Sequence, residues 1–210
     1  MKVFLLFIGL FSFTAIFAQG EFKFGAKGGL SLATLEGNEI FQENGNRYSF
    51  HIGGFTEYTL NEKIAVEAGL QFSSQGARKD EIEFRLSADS EPSLFREVII
   101  YNYLNLPIQF KYYLVNGLNV KAGPQIGFLL SAENKNVQSI VNPGTSVDLD
   151  IRDFTKTVDF GALFGLGYQF DSGILIDFNY YLGLTDTVDS DSATVERKNR
   201  VLQLSVGYRF

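Results

Sequence analysis

From Leu104 to Leu130 the side chains alternate between apolar and polar without a break. One face would carry Leu104, Leu106, Ile108, Phe110, Tyr112 and Leu114, then Leu118, Val120, Ala122, Pro124, Ile126, Phe128 and Leu130. The other would carry Asn105, Pro107, Gln109 and Lys111, then Asn119, Lys121, Gly123, Gln125 and Gly127. A period of two means strands, because a helix would scatter these positions around its axis. Residues opposite each other in a hairpin share a face, so the turn must keep the even numbers together. A three-residue loop over residues 115–117 does so by pairing Leu114 with Leu118. It ends on Gly117, which suits the left-handed position of such loops. Pro107 and Pro124 cannot donate to a ladder, and a local bulge is expected at them.

The same alternation recurs on both sides of this hairpin. It predicts strands over residues 21–33, 48–60, 64–75, 103–114, 118–130, 156–170, 174–184 and 199–210. Three connections are short: residues 61–63, 115–117 and 171–173. Four are long: residues 34–47, 76–96, 132–153 and 185–198. Within the second long connection, Glu81 to Leu86 alternates again and reads as a strand continuing beyond the others.

Residues 1–18 read as a signal peptide, with Lys2 before an apolar core and a small residue, Ala18, before the cut. Residues 19–210 then form one domain. The chain has no Cys, which removes disulfides, thiolate metal sites and a lipid anchor on cysteine. No later apolar run reaches the roughly 18 residues of a membrane-crossing helix. An exported chain of this kind enters a membrane only as a closed barrel, where every backbone group is paired. A net charge of -6 with no basic stripe argues against a nucleic-acid partner.

The segment YLNLPIQFKYY, together with FKFGAKGGLSLA, FHIGGFTEY and the terminal KNRVLQLSVGYRF, resembles the outer-membrane β-barrel family of Bacteroidota that includes the PorT-like proteins. The resemblance runs over the chain after the signal peptide. It implies an eight-stranded barrel in the outer membrane and a link to protein secretion. It implies no activity, since the family has no common catalytic motif.

Periodicity does not say whether the apolar face points out to lipid or inward, as in a soluble lipocalin-like barrel. Three features favour lipid. Aromatic residues gather on the apolar face at the short-turn ends: Phe22, Tyr58, Tyr112, Tyr168, Phe170, Tyr208 and Phe210. Glycines such as Gly29, Gly123, Gly165 and Gly167 fall on the polar face, as a narrow interior requires. The chain ends in Tyr208 and Phe210, resembling the signal read by the barrel-insertion machinery. The fold class is therefore all-β, an eight-stranded antiparallel up-and-down transmembrane β-barrel preceded by a signal peptide. Short turns and both termini would lie in the periplasm, with the long loops outside.

Little in the chain carries chemistry. His51 is the sole histidine, and it falls opposite Ser73 across the second hairpin. With no carboxylate to orient it, a lumenal hydrogen bond is the expected role rather than acyl transfer. Asp186, Asp189 and Asp191 lack the glycine and terminal glutamate of a calcium loop and read as an acidic solvated loop. No catalytic residue, cofactor or metal site is expected. The polar face does predict a charge cluster. Paired residues sum to 124 in the second hairpin, which sets Glu57 opposite Glu67. They sum to 232 in the central hairpin, which sets Lys111 opposite Lys121. All four lie at similar depth above the short turns, so interleaving them would neutralise both like-charge pairs. Asp177, Lys23 and Arg209 are the further members considered. The expected function is structural support or an accessory role for an envelope or secretion complex. Its partners would be outer-membrane lipid, the insertion machinery and an envelope protein met through the outer loops. A small-solute channel and a lipid-modifying barrel are the other classes considered.

Overall fold

The computed structural model describes residues 21–37, 45–84, 93–137, 148–189 and 196–210. The expected signal peptide over residues 1–18 lies outside them. Long strands dominate: β1 (Glu21–Gly37), β2 (Arg47–Asn61), β3 (Ile64–Phe84), β4 (Ser93–Val115) and β5 (Leu118–Val137). A three-residue strand β6 (Asp148–Asp150) and a single 3-10 turn (Arg152–Phe154) follow. Then come β7 (Val158–Gln169), β8 (Ile174–Gly183) and β9 (Arg197–Arg209). Every neighbouring pair is antiparallel. β1 pairs with both β2 and β9, and β4 pairs with β5, so β1–β5 and β7–β9 close into an eight-stranded ring. β6 is an addition that, among the described residues, pairs only with the end of β5 furthest from the short turn.

The apolar face points outward. Phe24, Leu30, Ile52, Phe110, Phe164, Phe178, Leu204 and Val206 are all exposed, while the polar partners along the same strands are buried. A sheet that buries its polar side and exposes its apolar side fits a lipid surround and opposes an aqueous one. Most of the aromatic belt at the short-turn end is exposed. Tyr58 is the exception, tucked beneath Phe22 with ring centroids 4.7 Å apart.

The register holds at the expected sums, with Glu57 opposite Glu67 and Lys111 opposite Lys121. The turn itself differs. Val115, not Leu114, pairs with Leu118 across a two-residue turn, and the register shifts between Tyr113 and Val115. Gly117 still takes the left-handed conformation, with φ of 79°. The expected bulges at the prolines are absent. The β3–β4 ladder skips Gly69 and Leu70 opposite Pro107, and the β4–β5 ladder skips the pairs beside Pro124. The register is the same on both sides of each gap. A strand that lacks one donor loses one rung, but its pleat needs no extra residue to continue.

Four strands run several residues past the bounds expected for them, β1 to Gly37, β3 to Phe84, β4 from Ser93 and β5 to Val137, and the part of β3 from Glu81 is the extension that its alternation predicts. β3, β4 and β5 continue past the ring as a wall, which absorbs much of the expected second loop. Inside the mouth, Leu35, Ala77, Ile99, Tyr101, Tyr103, Leu129 and Ala132 form an apolar cluster, with Ile151 packed on it. The segment after β6 is stitched across this mouth. Thr155 bridges to Val188, and Lys156 N donates to the Thr187 carbonyl at 2.9 Å.

Candidate functional site: the ion-pair network of the lumen

The short turns fix the depth of the charged residues. Glu57 and Glu67 flank one turn, and Lys111 and Lys121 flank the next, on neighbouring strands. Ala65 stands opposite Lys111, so Glu67 lies diagonally across from it by the stagger of a tilted barrel. Lys111 Nζ donates to Glu57 Oε2 and, at 3.2 Å, to Glu67 Oε2. Lys121 Nζ sits 2.5 Å from Asp177 Oδ2. The structure thus brings Glu57, Glu67, Lys111 and Lys121 into one buried network. Asp177 closes it from β8.

Two links join the halves. Lys27, from β1, donates to Glu67 Oε1 at 2.5 Å and to Asp177 Oδ2 at 3.1 Å. Its ammonium also lies 5.2 Å from the centre of the Phe55 ring, which roofs it. At the short-turn end, Arg209 Nη1 donates to Glu57 Oε1 at 2.6 Å. Lys23 stays out, because it turns to Glu21 at the rim, 3.0 Å away. The fully buried set is three lysines and three carboxylates, so it is neutral, and the part-exposed Arg209 sits at the edge. Such balance is what burying charges demands, since an unpaired buried ion costs several kcal/mol.

Sequence reasoning missed Lys27. Its strand reaches β2 through a long connection, so no turn fixes its depth, although its parity already puts it on the polar face.

Amides and hydroxyls fill much of the interior between this network and the apolar cluster at the mouth. Gln109 donates to Asn179 at 3.4 Å. Tyr113 OH donates to Gln169 Oε1 at 3.2 Å near the short turns. His51 is opposite Ser73 in the ladder, but its side chain does not meet it. Its Nδ1 contacts Ser31 Oγ at 2.9 Å and its Nε2 contacts Ser205 Oγ at 2.7 Å. With both ring nitrogens held by serines, the ring is a fixed spacer between β1 and β9. Asp186 organises its own loop, since Oδ1 accepts from the backbone N–H of Val188 and of Arg197. Asp189 gives its N–H to the Phe154 carbonyl at 3.0 Å, and Asp191 lies outside the described residues. At the terminus, Phe210 N donates to the Phe24 carbonyl at 2.8 Å, and its exposed ring lies edge-on to Tyr208 at 5.3 Å.

A family model described as "Outer membrane protein beta-barrel domain" matches residues 17–189. Among solved structures, the chain is similar to Ail, the attachment invasion locus protein of Yersinia pestis. The identity is 18% over 90% of this chain and 99% of that one, with a TM-score of 0.47. It is also similar to Neisserial surface protein A, at 13% identity over 90% of this chain and 97% of that one, with a TM-score of 0.42. No curated protein matches.

Proposed function

The chain belongs to the outer membrane protein beta-barrel domain family, which places it in the outer membrane, and we propose that it is a plugged, non-enzymatic barrel serving as support or accessory to an envelope complex. The observation that carries this reading is the filled lumen. Lys27, Glu57, Glu67, Lys111, Lys121 and Asp177 cross it from several walls at once, and the apolar cluster around Tyr101 and Tyr103 fills the other end. Side chains crossing the lumen at both ends favour a closed barrel whose contribution lies in its surfaces. Among the described residues, the wall of β3, β4 and β5 is a surface that continues past the ring. The resemblance of YLNLPIQFKYY to PorT-like proteins of Bacteroidota supports protein secretion as the process served.

Single-channel recording of the purified barrel in planar bilayers tests the plugged reading. No steady conductance is expected. A reproducible unitary step would replace it with a small-solute channel.

In the proposed orientation the termini and short turns face the periplasm, and Tyr208 with Phe210 serves the insertion machinery. A tag inserted at Ser87, in a connection outside the described residues, is expected to be labelled on intact cells. One at Asn116 is expected to stay hidden. Removing Phe210 from the Ser87-tagged chain should lower the surface signal. Labelling at Asn116 alone would invert the topology, and an unchanged signal without Phe210 would remove its role in insertion.

A further inference from the structure

At the short-turn end the lumen opens into a cavity of about 320 Å³, within the size range of ligand clefts. All three short turns contribute to its wall, through Glu62, Gly117 and Asp171. A hydrogen-bonded plate separates it from the ion-pair network. Arg209 Nη1 donates to Glu57 Oε1 at 2.6 Å. Tyr113 OH lies 3.3 Å from the same oxygen and donates to Gln169 Oε1 at 3.2 Å. Arg209, Tyr113 and Gln169 line the cavity, and Glu57 is buried behind them.

Arg209 carries the surplus charge at this end. The buried lysines and carboxylates already balance, and Glu57 has Lys111 as a second partner. A guanidinium presents five N–H donors in a fixed fork. Among the described residues, Nη1 is the nitrogen that finds a carboxylate, and the side chain is 21% exposed. The fork therefore keeps donors for a ligand on the cavity wall. Lys23, the second cation of that wall, is paired with the exposed Glu21 at 3.0 Å.

A carboxylate matches this fork, because its two oxygens take two parallel N–H bonds. A phosphate group would match it too, but it carries more than one negative charge. Glu62 and Asp171 stand exposed on the same wall and would repel that excess. The same two carboxylates would attract a cation that accompanies the ligand. The rings of Tyr113 and Phe170 add apolar surface to the wall. We propose that the cavity binds the free C-terminal carboxylate of a peptide that carries a basic residue shortly before its end. Arg209 takes the carboxylate, and Glu62 with Asp171 takes the basic side chain. This gives the accessory barrel a class of partner and rests on that reading for its purpose. The binding itself is read on purified protein, so it stands whichever side of the membrane the short turns face and whether or not the lumen conducts.

The test measures fluorescence polarisation of an N-terminally labelled peptide ending in lysine, alanine and phenylalanine, added to the refolded barrel at low salt. The free acid is expected to bind about tenfold or more tighter than the same peptide ending in an amide, the effect of one charge-assisted pair. Equal binding of the two, or no binding of the acid, would overturn the proposal. Arg209→Lys keeps a charge beside Glu57 and loses the fork, so it should erase most of the preference for the acid. A preference left intact would refute the role of Arg209. The double variant Glu62→Gln with Asp171→Asn should weaken the lysine peptide and leave one with alanine in its place unchanged. A lysine peptide bound as tightly as before would refute the ligand class. If Arg209→Lys does not refold, a nitroxide on the peptide decides with the wild-type barrel. It should broaden the amide signals of Gly117 and Asp171, and broadening confined to other regions refutes the site.

Discussion

Replacing Lys111 with Met should destabilise the folded barrel by about 3 kcal/mol, the lower end of the range for breaking a fully buried ion pair. Lys111 serves two carboxylates at once, Glu57 and Glu67, and is itself only 3% exposed. Removing it strips a cation from both. The loss is held to the lower end because Glu57 keeps Arg209 and Glu67 keeps Lys27. Adding Glu67→Gln should then recover part of the loss. The buried set would then be two lysines, Lys27 and Lys121, with two carboxylates, Glu57 and Asp177, and so neutral again, with Arg209 beside Glu57. The chain contains no Trp, so unfolding in urea is best followed by far-UV circular dichroism and by the heat-dependent shift in gel mobility. A Lys111→Met barrel as stable as the parent would show that the network contributes nothing to stability. A double variant no better than the single one would show that Glu67 and Lys111 are not coupled.

Gly167→Ala is expected to cost about 1–3 kcal/mol, the usual range for overpacking a tight interior. A Cβ at this position would collide with Asp177 Oδ1 and fall 2.9 Å from Asn119 Oδ1. Asp177 cannot yield freely, because it is pinned between Lys27 and Lys121. The methyl would therefore act on the ion pairs and not only on local packing. Gly54 supplies the control. It lies on the exposed lipid face, where the nearest atom to a new Cβ is the Gly25 carbonyl oxygen at 3.6 Å. Gly54→Ala should be close to neutral. Equal losses at the two positions would mean that the glycines serve the backbone alone.

Much of this barrel was legible in the alternation of its residues. A period of two names strands, and the parity of a short turn fixes which residues oppose each other. That is why Glu57 with Glu67, and Lys111 with Lys121, could be paired from the numbers alone. The prolines show the limit of local rules. A missing donor argues for a bulge, yet the strands on either side of Pro107 and Pro124 hold their neighbours in register, and the ladder only drops rungs.

Whatever depended on distance across the lumen was not legible. Lys27 reaches Glu67 and Asp177 only because the sheet closes, and no short turn ties its strand to theirs. His51 faces Ser73 in the ladder, but its side chain spans Ser31 and Ser205, since a ring in a curved interior leans across neighbouring strands. Tyr103, Asp159, Tyr181 and Asn199 meet from β4, β7, β8 and β9, which share no motif in the chain. The sequence by itself determined the strands, their pairing beside short turns and the polarity of each face, because these follow from the two-residue repeat. Only the closed tertiary structure decided that Lys27 links Glu67 to Asp177 and that His51 meets Ser31 and Ser205, because these contacts depend on how far the walls of a closed ring stand apart.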